Sequence, residues 1–261
     1  MILHFAFIIL HFAHSAINSN LKFHRERKNL MSIAENIAAI RAKMDAAAIA
    51  AGRNPRDILL CAATKMNGAE AVRQAIRAGV DLCGENRVQE LTAKQKENAY
   101  EGAPVHFIGH LQTNKVRQVV GNVDVIQSVD SLRLLKAIDA EAAKQGIVQK
   151  ILLEINVGNE ESKSGFAAEE VLPLLEQISE FQHIFVCGLM AIPPISQKTG
   201  DNRKFFQKML QLSVDISAKK YDNVLVNCLS MGMSDDYEDA IACGSTMIRI
   251  GTAIFGKRNY A

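Results

Sequence analysis

The sequence predicts an α/β fold, a single (β/α)₈ TIM-type barrel with an extra N-terminal helix. Three observations lead there. Eight short apolar runs recur at 58–65, 81–85, 105–109, 123–128, 150–156, 185–192, 224–231 and 247–255. Helical patterns occupy the seven intervals, at 69–78, 87–96, 114–120, 131–144, 168–180, 202–219 and 235–242. Strands alternating with helices argue for parallel βαβ units. The span 58–256 is close to the usual length of a closed eight-stranded barrel. An open doubly wound sheet is the alternative, but no GxGxxG follows the first run.

The first helix opens at Ser32, where Ser32-Ile33-Ala34-Glu35 has capping-box spacing. Ile33, Ile37, Ile40 and Met44 then follow one helical face. Gly52 supplies the stop, with Pro55 just beyond. Later helical intervals end at Gly79, Gly121, Gly146 and Gly244, each placed as a C-terminal stop. The sixth interval carries the clearest apolar stripe, Phe205, Met209, Leu212 and Ile216. Pro193-Pro194 stops the sixth strand and opens a longer loop. No linker, repeat or low-complexity stretch divides residues 31–261, so one domain is expected.

Nearly half of the 261 residues are hydrophobic, enough for a sizeable core. The formal net charge of +2 is unevenly placed. Lys22, Arg25, Arg27 and Lys28 against Glu26 leave the remainder of the chain slightly acidic. A nucleic-acid partner would need a clustered basic face, and none is present. The five cysteines form no CxxC and mostly lie inside apolar runs. A reducing cytoplasmic compartment is the expectation.

Residues 1–30 do not match the rest. The apolar, aromatic start is broken by His4, His11 and His14, and it is short for a membrane span. Its basic residues follow the apolar stretch instead of preceding it, unlike a secretory signal. An organelle transit peptide is one reading. The expectation is a leader outside the domain, with Met31 as the initiator.

The chemistry gathers at the predicted C-terminal ends of the strands, where barrels of this kind place their sites. Lys65 closes the first run, and desolvation there favours a neutral, nucleophilic amine. Downstream, Ser230-Met231-Gly232-Met233-Ser234 and Arg249-Ile250-Gly251-Thr252 are glycine-bearing turns whose backbone N–H groups can approach an anion closely. They fall after strands seven and eight, the common phosphate position in this fold. An amine that reacts with an aldehyde, beside donors that hold a phosphate, describes a site for pyridoxal phosphate.

Parity places Arg249 on one face with Met247 and Gly251. If that face points inward, a buried guanidinium needs an acceptor. Either a cofactor ring nitrogen or a carboxylate such as Glu85 or Glu154 would serve. Ser234 is either an ordinary N-cap before Asp235 and Asp236, or part of a phosphate-binding turn. Asn86 either caps its helix or touches the ligand. Glu154 and Asn156 share a face on the fifth strand. His106 and His110 flank the third, but no further ligand cluster completes a metal set, so no metal is expected.

At these residues the chain resembles the pyridoxal phosphate homeostasis proteins. The stretches that carry the resemblance are GENRVQE from Gly84, HFIGHLQTNK from His106, GLMAIPP from Gly188, LSMGMSDD from Leu229 and GSTMIRIGTAIFG from Gly244. The resemblance implies a barrel similar to the N-terminal domain of alanine racemase, with pyridoxal 5′-phosphate held as a Schiff base on Lys65. By motif position, Ser234, Gly251 and Thr252 would bind phosphate, Arg249 would face the pyridine nitrogen, and Asn86 and Met233 would line the ring. One departure is local. Thr64-Lys65-Met66-Asn67-Gly68 stands where the family shows a Ser-Lys-Thr-Lys-Pro-like run, which changes the loop after the lysine.

The resemblance implies a cofactor carrier or reservoir without turnover of its own, delivering to apo-enzymes. A single-domain amino-acid racemase is the alternative, and a Schiff-base lyase for sugar phosphates a more distant one. An arginine at the ring nitrogen does not readily give up a proton, which leaves the ring a poor electron sink. Racemisation in the related enzyme draws a second base from an extra β-domain, and here the barrel extends to Gly256. No catalytic residue is assigned. A monomer without membrane or nucleic-acid partners is the expectation.

Overall fold

The computed structural model describes residues 32–160, 163–194 and 200–256. The leader predicted over 1–30 lies outside them. Eight parallel strands close into a barrel in chain order: β1 (Leu59–Ala63), β2 (Leu82–Glu85), β3 (Val105–Phe107), β4 (Val125–Val129), β5 (Gln149–Ile155), β6 (Ile184–Ala191), β7 (Val224–Ser230) and β8 (Met247–Ile250). The helices are α1 (Ile33–Ala50), α2 (Ala69–Arg77), α3 (Val88–Lys96), α4 (Leu132–Gln145), α5 (Ala168–Glu176), α6 (Arg203–Ser217), α7 (Tyr237–Ala242) and α8 (Thr252–Phe255).

Local chemistry explains the helix ends. Ser32 and Glu35 form the reciprocal capping box, with the Glu35 N–H donating to Ser32 Oγ and the Ser32 N–H to Glu35 Oε2. The predicted stops Gly52, Gly79, Gly121, Gly146 and Gly244 all have positive φ.

Three differences from the sequence reading bear on the site. β1 ends at Ala63, so Lys65 stands in the turn beyond it. The eighth strand stops at Ile250, and Thr252–Phe255 is a short helix. The interval 114–120 folds as a 3₁₀ turn, Thr113–Gln118.

The short α8 leaves the outer face of the β8–β1 seam for another element to cover. α1 covers it, burying Ile37, Ile40, Met44 and Ala48 with Leu60, Ala62, Ile248 and Ile250. The extra N-terminal helix therefore covers the seam at which β1 and β8 pair to close the barrel. A larger apolar cluster, including Phe107, Leu135, Ile151 and Phe206, packs the remaining helices against β2–β7. No described helix is long and apolar enough to cross a membrane.

Candidate functional site

Ring closure gathers the predicted residues on one side of the barrel mouth. β7, β8, β1 and β2 are consecutive neighbours, with Ala62 paired to Ile250 and Ala63 to Gly84. Lys65 follows β1, Asn86 follows β2, Met233 and Ser234 follow β7, and Gly251 and Thr252 follow β8. A Cβ on Gly251 would lie 3.4 Å from the Ala63 carbonyl, so the turn after β8 packs against the end of β1.

The Lys65 turn is held from both sides. Thr64 is fully buried, and its hydroxyl donates to Glu85 Oε1. Its carbonyl accepts from Lys94 Nζ at 2.7 Å. On the far side, the Met66 N–H donates to Glu90 Oε2 at 2.6 Å. Met66 adopts φ +62°, an uncommon conformation for a side-chain-bearing residue. Asn67 Nδ2 donates to the Lys65 carbonyl at 2.9 Å. These bonds give the loop a defined shape without the proline of the related run.

Glu85 and Lys94 form a buried ion pair behind that turn, 2.6 Å apart. Tyr100 donates to the same Glu85 oxygen at 3.2 Å, and burial pushes its phenol pKa up. Glu85 is thus Lys94's partner, not Arg249's.

Arg249 lies inside the barrel, 5 % exposed, with no carboxylate within 4.0 Å among the described residues. Nη1 donates to Ser230 O and Oγ, both at 2.6 Å, and Nη2 to Ala191 O at 2.9 Å. Those three bonds leave Nε–H and one Nη2 proton without an acceptor among the described residues. Burial lowers its pKa, but guanidinium starts so high that it remains charged. The carboxylate alternative drawn from parity is therefore not realised.

Asn86 sits where the Gly109 turn crosses it. A Cβ on Gly109 would lie 2.2 Å from the Asn86 carbonyl, so only glycine allows this approach. The side-chain Oδ1 of Asn86 is buried without a hydrogen-bond partner. Asn86 does not cap α3, which has Arg87 at that position.

The turn after β7 departs from the N-cap reading of Ser234. α7 begins at Tyr237 with Asp236 at the cap, and Asp236 Oδ1 accepts the Met233 N–H at 2.7 Å. Ser234 is half-buried and borders a cavity of about 690 Å³ shared with Ala47, Tyr237 and Asp239. Met233 is 37 % exposed, open enough to contact a ligand. Gly251 and Thr252 open α8, and the first N–H groups of any helix have no intrahelical acceptor.

Glu154 carries a signal that the sequence did not. Burial, aided by Asp130, pushes its carboxyl pKa up to about 6. Its neighbour Asn156 lies beyond β5 and instead ties its own loop, bonding Glu160 and Lys163. With a folded-state pKa above the unfolded one, Glu154 favours the fold most at low pH. That contribution fades as pH rises through about 4.5 to 6. Glu154→Gln should therefore stabilise the protein at pH 8, by up to about 2 kcal/mol, and hardly at pH 4. Urea midpoints at the two pH values test this, and equal effects at both would contradict it.

Among the described residues, no group of three or more His, Cys, Asp or Glu is arranged to hold a metal. His106 bonds Gln127 inside the barrel, while exposed His110 pairs with Asp130 at 3.1 Å.

Comparison with known proteins gives consistent results. The family model for the alanine racemase N-terminal domain matches residues 28–259. A pyridoxal phosphate homeostasis protein of Aquifex aeolicus is 39% identical over 230 residues, 88% of this chain and 100% of the relative. A crystal structure of an unknown protein from Bifidobacterium adolescentis superposes with TM-score 0.82 at 36% identity, covering 85% of this chain and 94% of that one. PipY of Synechococcus elongatus, with PLP bound, has TM-score 0.74 and 32% identity over 86% of this chain and all of that one.

Proposed function

The chain belongs to the pyridoxal phosphate homeostasis protein family, and on that footing we propose that it binds pyridoxal 5′-phosphate as a carrier or reservoir. The observation that carries this reading is Arg249. A charged guanidinium is buried in the barrel against neutral oxygens only, with two donors left over. An uncharged heteroaromatic nitrogen at the mouth would accept from it without demanding a second charge. The unsatisfied Asn86 Oδ1 nearby and the glycine turns after β7 and β8 fit the same ligand.

When bound, the cofactor supplies an aldehyde and an electron-withdrawing ring. Lys65 provides the amine for a Schiff base, held in place by the anchored Thr64 and Met66 on either side. Ser234, Gly251 and Thr252 hold the phosphate, the last two through the open end of α8. Asn86 and Met233 flank the ring. Arg249, which holds its own proton, would face the ring nitrogen as a donor and leave it unprotonated, making the ring a weak electron sink. That property suits a protein that stores and delivers cofactor to apo-enzymes better than one that turns over amino acids. The five cysteines are all free thiols, in keeping with a cytoplasmic location. A monomer suffices for this site, since every residue named comes from one chain.

Phosphate should dominate recognition, because charge-assisted bonds from backbone donors are the strong ones. Pyridoxal 5′-phosphate should bind at least about tenfold more tightly than pyridoxal. Spectroscopic titration measures both, and equal affinities would remove the roles given to Ser234, Gly251 and Thr252. Chiral chromatography after incubation with L-alanine or L-serine separates carrier from racemase. The expected result is no D-isomer above that formed by free cofactor. Several equivalents of D-amino acid per protein, lost in Lys65→Ala, would establish a racemase instead.

A further inference from the structure

The opposite end of the barrel holds a second cavity, of about 480 Å³. Its lining includes Leu59 and Met247, the first residues of β1 and β8, so it opens at the N-terminal ends of the strands, away from Lys65. His106 and Lys150 line it with Phe185 and Leu225. His106 is 8 % exposed, while Lys150 is exposed at the rim.

A chain of hydrogen bonds runs down the barrel axis to this cavity. Arg249 Nη1 bonds Ser230 Oγ at 2.6 Å, Ser230 Oγ bonds Gln127 Oε1 at 2.6 Å, and Gln127 Nε2 bonds His106 Nδ1 at 2.7 Å. Its direction follows from its first member. Arginine only donates, so Ser230 Oγ accepts and its own proton passes to Gln127 Oε1. The amide must then present its NH₂ to the histidine. Reversing the amide would leave the fully buried Ser230 hydroxyl without an acceptor, a cost of roughly 1–3 kcal/mol. Nδ1 of His106 is therefore an acceptor. Burial holds this imidazole neutral, with its pKa lowered to about 4. A neutral ring that accepts at Nδ1 carries its proton on Nε2. Nε2 bonds no described residue, and it belongs to a ring that lines the cavity.

We propose that this cavity is a second ligand site, taking a small monocarboxylate with a short apolar chain. His106 Nε2–H and the Lys150 ammonium bind the carboxylate, and Leu152, Phe185 and Leu225 receive the chain. Lys150 supplies the one cation on the lining and His106 a neutral N–H donor. Asp57, also on the lining, offsets part of the Lys150 charge and repels a doubly charged anion such as phosphate more strongly than a monocarboxylate. The site stands apart from the cofactor reading, since no atom of the cofactor takes part.

The test is titration of the full-length protein with sodium butanoate, followed by the imidazole ¹⁵N signals of His106. The expected starting state is the neutral Nε2–H tautomer, and butanoate should shift its Nε2 signal in a saturable way. Lys150→Met alters an exposed side chain and should fold normally. It should weaken butanoate binding roughly tenfold, the size of one charge-assisted bond. Butylamine should leave the signal unmoved, and inorganic phosphate should act far more weakly than butanoate. An Nδ1–H tautomer, no saturable response to butanoate, a response equal to that for phosphate, or unchanged affinity in Lys150→Met would each overturn the proposal.

Discussion

Lys65→Ala is expected to abolish the visible absorption band that the protein acquires with pyridoxal phosphate. Borohydride reduction of the wild type should place the phosphopyridoxyl group on Lys65, read by peptide mapping. The effect should be all or none, because no neighbouring lysine offers an equivalent amine. Lys94 is buried and its amine is occupied by Glu85 and the Thr64 carbonyl. Lys163 is paired with Glu160 at 2.5 Å and donates to Pro193 O. Residual, weaker binding of cofactor by Lys65→Ala should persist through phosphate contacts, without the band. A label found mainly on Lys163 would move the site away from the β1 turn.

The largest effect on stability is expected for Lys94→Met. Glu85 is completely buried, one of its oxygens lacks any partner, and Lys94 is the only cation bonded to it among the described residues. Removing that cation leaves a buried carboxylate with only the Thr64 and Tyr100 hydroxyls as donors. Breaking one partner of such a pair typically costs about 3–5 kcal/mol. The double variant Lys94→Met with Glu85→Gln should recover much of the loss, because no buried charge then remains. Urea unfolding of the single and double variants measures both. A single-variant loss below about 1 kcal/mol would mean that the pair contributes no more than an exposed one. The same substitution frees the Thr64 carbonyl and so loosens the Lys65 turn. Cofactor uptake at low urea should therefore slow or weaken in parallel.

The alternation of strands and helices was legible in the sequence because it rests on local facts. An apolar run, a glycine at a positive-φ stop and a Ser–x–x–Glu cap each act over a few residues. All eight strands and the extra helix follow from such signals. So does the gathering of Lys65, Asn86, Ser234 and Gly251 at one end, because parallel strands point the same way.

Which side chains meet inside the ring was decided only by the tertiary structure. The register shifts between Ile126 and Val129, between Ile151 and Leu152, and between Val186 and Gly188, so counting in twos along a strand loses the inward face. Parity offered Arg249 either a cofactor ring nitrogen or a carboxylate such as Glu85 or Glu154. The closed barrel instead gave Glu85 to Lys94 and left Arg249 bonded to Ser230 and Ala191. The line from Arg249 through Ser230 and Gln127 to His106 joins β8 and β7 to β4 and β3, across a step of 103 residues between Ser230 and Gln127. Sequence patterns report what each segment buries. Only ring closure, which sets every strand's register against all the others, determines which buried polar groups are within 3 Å of one another.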